Sequence, residues 1–298
     1  MKLDFPWIKD PYLFDDFVAS CNGLLLVRVD KRHDYPMHSL NPSTRESKKL
    51  PDYDFGVDPY FRLCMHGLGY DSSMDDYKVV AVSYYAQHLL REDRESDCKD
   101  TFVVVYSLKN SSWGRKWIQD FPYDNSFIVP GSGVFVNGSV HWLTYRSLVH
   151  LPVIVAFDVA DEKFRDVLLP TSHEPGSLGL LGGCLFCCNE NDDLWVMKEC
   201  GDSESWTKFT IDIPKNMYSL ESLCVLLDNE LLLKWYKDEK MDEDIFVIYN
   251  DKEQRLRYIM VDGIPLKSTD SFRYQQSAVT YVESIVSPYF HCGIDRKK

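Results

Sequence analysis

The sequence predicts an all-β fold, and three observations support this prediction. Turn signals recur between apolar runs, at Asn22-Gly23, Asn137-Gly138 and Gly182-Gly183. An Asn-Gly pair between such runs is the strongest short-range signal for a β-hairpin, because both residues tolerate the positive φ angles of a type I′ turn. Aromatic residues make up 14% of the chain, and aromatic and β-branched residues favour strands. No long stretch shows a convincing helical period.

The turn signals recur at a nearly constant spacing. Equivalent positions at 23, 69, 138, 183 and 229 are separated by 46, 69, 45 and 46 residues. The expanded interval contains the polar, charge-dense segment AQHLLREDRESDCKD, which we interpret as a loop inserted between two strands. A short helix in this segment would be marginal without tertiary support.

A second pattern follows each hairpin: an apolar strand, a polar turn, and then an aromatic or basic strand. Its instances are HSLNPSTRESKKLP, VVVYSLKNSSWGRKW, VIVAFDVADEKFRDVLLP, DLWVMKECGDSESWTKF and IFVIYNDKEQRLRYIMVDGIP. Each period therefore holds four strands, which is typical of β-propeller blades. The blades are predicted at 17–51, 62–121, 133–170, 178–212 and 221–262 of a single domain, 1–298.

Composition narrows the classes of partner. The net charge of −13 argues against nucleic acid and against an anionic membrane surface, because both require a basic footprint. Nine cysteines, an odd number, accompany an N-terminus without a signal-peptide apolar core. We therefore expect reduced thiols in the cytoplasm or nucleus.

No motif identifies a catalytic, cofactor or metal site, and we predict none. Cys184, Cys187 and Cys188 lack the second ligand pair that structural zinc requires. His141 precedes Trp142 within a predicted strand, and we interpret it as a buried structural histidine. Trp113, Trp206 and Phe164 recur at one place in the repeat, which favours a role in packing between units.

From about residue 18 to residue 288 the chain resembles the type 1 F-box-associated domain, the kelch-like class abundant in plant F-box proteins. The matching stretches follow the family's order and are SCNGLLLV, NPSTRESKKLP, GLGYDSSMDDYKVV, VYSLKNSSWGRKW, GVFVNGSVHWL, VAFDVADEKFRDVLLP, LWVMKECGDSESWTKF and YVESIVSP. NPSTRE and YVESIVSP are the most specific. The resemblance implies a kelch-like β-propeller, for which we predict six blades, with an incomplete closing blade formed by 269–288 and 1–8.

Family members begin with an F-box, a helical segment that docks on the Skp-type adaptor of a cullin ubiquitin ligase. No such segment is present, and LDFPW resembles the end of the stretch that follows it. We therefore expect a truncated product. Such a chain would recruit the adaptor only if a longer product carried an F-box.

The resemblance implies a non-enzymatic protein-recognition module, similar to the substrate-binding domain of an SCF-type ubiquitin ligase. Two alternatives remain open: a hydrolase or oxidase on a propeller scaffold, and an interaction protein unrelated to ubiquitination. The predicted partner is a target protein, contacted through loops. Candidate contact residues lie in three loops and are Arg91, Glu92, Arg94, Tyr145, Arg146, His150, His173 and Glu174.

Overall fold

A computed structural model describes thirteen parts of the chain: 14–29, 36–52, 61–85, 100–119, 121–124, 133–170, 175–189, 193–209, 219–225, 230–236, 244–250, 255–259 and 282–289. These residues form five antiparallel sheets and one short 3₁₀ turn, Ser203–Ser205, and contain no α-helix. The predicted all-β class is confirmed.

Four strands in sequence order form the basic unit of every sheet. The first sheet contains β1 (Phe14–Cys21), β2 (Leu24–Val29), β3 (Met37–Asn41) and β4 (Glu46–Lys49). The second contains β5 (Phe61–Asp71), β6 (Asp76–Tyr85), β7 (Asp100–Ser107) and β8 (Ser112–Gln119). The third contains β9 (Tyr123–Asp124), β10 (Val134–Val136), β11 (Ser139–Arg146), β12 (Pro152–Asp158) and β13 (Lys163–Val167), with β9 paired to β11.

The remaining two sheets repeat the same order. The fourth contains β14 (Pro175–Leu181), β15 (Cys184–Asn189), β16 (Leu194–Met197) and β17 (Trp206–Phe209). The fifth contains β18 (Ser219–Val225), β19 (Glu230–Tyr236), β20 (Asp244–Asn250) and β21 (Arg255–Ile259). Four sheets are thus simple four-stranded meanders, and the third is the same meander with β9 added beside β11.

The predicted tight turns join the first two strands of their sheets. Asn22 and Gly23 adopt φ values of 48° and 86°, and Asn137 and Gly138 adopt 48° and 76°. Gly182-Gly183 likewise has both φ values positive. The local φ requirement of these turns is therefore met by the residues that tolerate it best.

The longer second turn predicted after Tyr70 is confirmed, although Gly69, the position used to measure the repeat, is not part of it. Gly69 is inside β5, and the turn occupies 72–75, where Asp75 has a φ of 50°. A Cβ on Gly69 would approach Val159 to 2.7 Å, so this glycine permits close packing and does not form the turn. The fifth predicted turn, Asp228-Asn229, lies outside the described residues.

The described residues belong to two compact units. One draws on Met1–Leu151, Val155–Asp166 and Tyr281–Lys298, and the other on Pro152–Ile154 and Val167–Thr280. In the first unit, a buried cluster joins the first two sheets through Ala19, Cys21, Leu24, Leu26, Met37, Leu50, Leu68, Tyr77, Val79, Tyr106 and Leu108. Strand β12 is buried from Val153 to Phe157, as its continuous apolar run predicts for a strand covered on both faces.

The last strand of every sheet carries an excess of positive charge. Together β4, β8, β13, β17 and β21 contain nine Lys or Arg residues and two acidic residues, although the chain carries −13 overall. Each lies at the end of its sheet's strand order. Charged side chains, especially Lys, discourage a sheet edge from pairing with another chain.

The predicted closing blade falls mostly outside the described residues. Positions 1–8 and 269–281 are not described, and 282–289 contain no strand. The sixth blade and the blade boundaries therefore remain predictions. The insertion at 86–99 is also outside the described residues.

Candidate functional site

The loop 147–151, between β11 and β12, is closed by three backbone hydrogen bonds. Arg146 N donates to Leu151 O at 2.8 Å, and His150 N donates to Arg146 O at 2.8 Å. Ser147 N donates to Pro122 O at 3.0 Å, and His150 adopts a φ of 49°. These bonds hold the loop in a defined conformation.

A polar cluster stands at the base of this loop. The Arg146 guanidinium forms an ion pair with Asp166, and the Tyr123 hydroxyl donates to the other Asp166 oxygen at 2.6 Å. Hydrogen bonding to Asp166 raises the pKa of Arg146, while burial and the same carboxylate raise the pKa of Tyr123. The side-chain charge of Arg146 is therefore paired within the protein.

Beneath the polar cluster lies an aromatic one. The Phe121 ring is 5.1 Å from the Tyr123 ring and 5.3 Å from the Phe164 ring, both in edge-on geometry. The Phe157 and Phe164 rings are 4.9 Å apart. Edge-on aromatic pairs of this kind add to the stabilisation that burial provides, so the loop rests on a well-packed support.

The outward face of the loop is apolar. Leu148 is 95% exposed, Leu151 61% and Val149 57%. We call these three side chains the apolar tip. Contiguous exposed apolar surface on a protein frequently marks an interaction site. The residues 147–151 contain no Lys, Arg, Asp or Glu.

Three of the predicted contact residues lie in or beside this loop. Tyr145 and Arg146 end β11, and His150 lies within the loop itself. The other five, Arg91, Glu92, Arg94, His173 and Glu174, are outside the described residues. The sequence predicted this loop as a contact region but did not single out the apolar tip. The signal that could have identified the tip is the apolar pair Leu148-Val149 in a loop between two strands.

A buried ion network joins the second and third sheets. The Lys78 ammonium lies 3.0 Å from Asp71 Oδ2 and 3.3 Å from Glu162 Oε1, and it donates to Val159 O at 2.7 Å. Burial alone would raise the pKa of Asp71, but hydrogen bonds from Ser73, Lys78 and Met74 N outweigh it and hold that pKa below its usual range. These partners assign the network a structural role.

Two of the stretches that carry the family resemblance meet in space. Asn41, in the NPSTRE stretch, donates from Nδ2 to Ser284 O at 3.0 Å and to Val286 O at 2.7 Å. Its Oδ1 accepts from Ser43 N and Thr44 N. A Cβ on Gly23 would meet the Ser284 side chain at 2.1 Å. The sequence alone does not single out Asn41 or Lys78, because some of their partners are remote in sequence.

His141 and Cys187, which were examined as candidates for a catalytic or metal site, are buried in the structure. His141 is 3% exposed, its Nδ1 donates to Val134 O at 3.2 Å, and burial lowers its pKa to about 4. Burial raises the pKa of Cys187 to about 12, which makes that thiol unreactive. The described residues contain no group of three or more His, Cys, Asp or Glu side chains suited to a metal ion.

The recurring aromatic residues pack where the repeat predicts. Trp113 Nε1 donates to Pro51 O at 3.0 Å, just after β4, and Trp206 Nε1 donates to Leu168 O at 3.0 Å, just after β13. Phe164 contacts Phe121, which follows β8. In each case an aromatic residue near the start of a sheet's last strand contacts the segment that follows the last strand of the preceding sheet. The predicted role of these residues in packing between units is confirmed.

The described part of the chain contains no helix that is long and apolar enough to cross a membrane.

Comparison with known proteins shows the family to which this chain belongs. A family model described as the F-box associated beta propeller domain matches residues 13–288. The chain therefore belongs to the F-box associated β-propeller family, and its fold is a β-propeller.

Individual relatives are F-box proteins of Arabidopsis thaliana. The F-box protein CPR1 is 34% identical over 232 residues, which cover 66% of this chain and 55% of that protein. The F-box protein At4g22390 is 32% identical over 238 residues, covering 72% of this chain and 55% of that protein. The chain thus spans just over half the length of these relatives.

A solved structure shares the fold. The Hadza microbial sialidase Hz136 aligns with a TM-score of 0.51 and 11% identity, covering 81% of this chain and 56% of that one. At this identity the likeness concerns the fold alone.

Proposed function

We propose that the chain is a non-enzymatic protein-recognition module that binds a target protein through loops at the ends of its sheets. The observation that carries the proposal is the apolar tip, an uncharged and exposed surface on a rigid base. Membership of the F-box associated β-propeller family supports it. Rigid sheets that present exposed loops are suited to recognition, because the scaffold fixes the loops in place.

The proposal extends to ubiquitination through the relatives. The matched proteins are named as F-box proteins, and each is longer than the region it shares with this chain. Joined to an F-box in a longer product, this module would bring its target to a Skp-type adaptor and hence to an SCF-type ubiquitin ligase. Alone, it would bind the target without recruiting the adaptor.

Two further parts of the proposal concern chemistry and location. Buried and structurally engaged histidines and cysteines support a module without catalysis. The five described cysteines are free thiols, which supports the reducing cytoplasm or nucleus as the place of action.

The test has two stages. The tagged chain is used to capture proteins from extracts of its source cells, and a captured protein is identified, repurified and titrated against the chain. We expect a saturable complex of fixed stoichiometry. Fusion of an F-box to the chain should then shorten the half-life of that protein in cells, whereas a fusion with the adaptor-binding Leu-Pro pair replaced should not. Absence of any saturable protein partner would contradict the proposal.

A further inference from the structure

We propose that the apolar tip is the principal docking element of this module, and that it inserts into an uncharged apolar cleft on a folded target protein. This inference rests on the proposed function and specifies the surface and the kind of partner. Nothing in the family match assigns a binding surface to these residues.

The exposed apolar area of the tip favours docking because burying it against a partner would lower the free energy of the complex. Leu148 is 95% exposed and Leu151 is 61% exposed, with Val149 between them at 57%. Full burial of one such side chain strengthens binding by roughly tenfold to a hundredfold. All three lie within the four consecutive residues 148–151, so one contact surface on a partner can reach them together.

The loop is already ordered before any partner arrives. Its ends are joined by the Arg146 N to Leu151 O bond, and its start is fixed to Pro122 O. Pro122 lies between Phe121 and Tyr123, whose side chains belong to the aromatic and polar clusters. A preorganised loop loses little conformational freedom on binding, which increases affinity.

Charge distinguishes a protein cleft from other occupants. The loop contains no Lys, Arg, Asp or Glu, and the adjacent Arg146 is paired with Asp166. A membrane-surface anchor typically displays Lys or Arg around its apolar residues, and nucleic acid requires a basic surface. Neither arrangement is present at this loop, so a protein with an apolar cleft is the favoured partner and its binding should depend little on salt.

Two matched double variants test the inference. Leu148→Ser/Leu151→Ser removes two exposed apolar side chains from the tip, and Val282→Ser/Ile285→Ser removes two side chains that are 72% and 88% exposed elsewhere in the same unit. Because all four side chains face solvent, we expect both variants to keep the melting temperature of the parent chain within about 2 °C.

The probe is the target protein identified and repurified as described above. Its dissociation constant should rise at least about tenfold for the tip variant and less than about twofold for the control. For the parent chain, an increase from 50 to 500 mM NaCl should change the constant by less than about threefold. A photo-reactive residue at position 148 should cross-link to the target, and one at position 285 should not, which keeps the test informative if a variant folds poorly.

Several results would overturn the inference. Equal affinity of the tip variant and the parent, or a salt dependence above about tenfold, would show that another surface binds the target. If the parent chain floats with phosphatidylcholine vesicles, with or without phosphatidylserine, and the tip variant does not, the partner of the tip is a membrane. A dimer lost in the tip variant would indicate a second copy of the chain. If the parent chain binds no protein at all, the proposed function itself fails, whereas the other outcomes leave it standing.

Discussion

Asn41 donates a hydrogen bond of 2.7 Å to the backbone carbonyl of Val286, 245 positions along the chain. The same side-chain nitrogen also reaches Ser284 O, while its oxygen accepts from two backbone amides of the turn after β3. Asn41 is fully buried. One side chain thus shapes a local turn and attaches the segment 282–289 to the first sheet.

Asn41→Ala should lower the free energy of unfolding by about 3 kcal/mol. The loss follows because two carbonyls and two amides lose their partner, and buried polar groups without partners are costly. Urea unfolding measures the change, and hydrogen exchange should report faster exchange at 282–289. Thr44→Ala, in the same turn but exposed, should change stability by less than about 0.5 kcal/mol. Unchanged unfolding of Asn41→Ala would show that the segment is held by other contacts.

Lys78→Met should destabilise the protein by about 3 kcal/mol, because Asp71, 1% exposed, would keep a buried charge without its cation. Adding Asp71→Asn to that variant should recover part of the loss. The control is Lys49→Met, whose ion pair with Asp52 is exposed and worth less than about 1 kcal/mol. Equal effects of the two lysine substitutions in thermal unfolding would contradict the structural role of the network.

Stability should fall on mild acidification because of two buried histidines. Burial, with a contribution from Arg28, lowers the pKa of His66 to about 3, and burial lowers that of His141 to about 4. Between pH 6.5 and pH 4 the unfolded chain therefore binds protons that the folded chain does not. The free energy of unfolding should decrease by about 1 kcal/mol per histidine for each pH unit in that window.

Chemical unfolding at several pH values measures this slope. His66→Leu, which keeps an apolar side chain of similar size at a buried position, should reduce the slope by about half. Asp71 does not contribute to this slope. Its pKa in the folded protein is lowered from the ordinary value of 3.8, so the stabilisation it provides is present above pH 3.8 and is lost only at lower pH. A stability profile that is flat from pH 7 to pH 5 would contradict the histidine prediction.

Lys116→Val should increase aggregation. Lys116 is exposed on β8, the terminal strand of its sheet, and a β-branched apolar residue there favours pairing with another chain. Light scattering at about 40 °C, just below the melting range of ordinary domains, should rise sooner for this variant. Lys198→Val, an exposed lysine outside the strands, is the control for the lost charge. Equal scattering of the two variants would show that net charge, not the sheet edge, governs solubility.

Sequence patterns alone were sufficient to predict the all-β class, the four-stranded repeat and the tight turns. These features are local: Asn22-Gly23 meets the φ requirement of its own turn, and the recurring aromatic at the fourth strand reflects the same packing in each unit. The resemblance carried by NPSTRE and YVESIVSP identified the family. Of the candidate site, the sequence predicted Tyr145, Arg146 and His150, which lie in or beside the hydrogen-bonded loop 147–151.

The folded structure was needed to show which residues join distant parts of the chain and which stay exposed. Gly69 marked the second period of the repeat in the sequence, but the close approach of Val159, just after β12, explains why glycine stands there. Lys78 and Asn41 acquire their roles from partners more than 80 and 240 positions away. Leu148, Val149 and Leu151 lie in a loop that the sequence predicted, but only the structure shows that their side chains are exposed. Burial depends on which strands pair and pack, and that depends on contacts between residues that a local pattern does not connect.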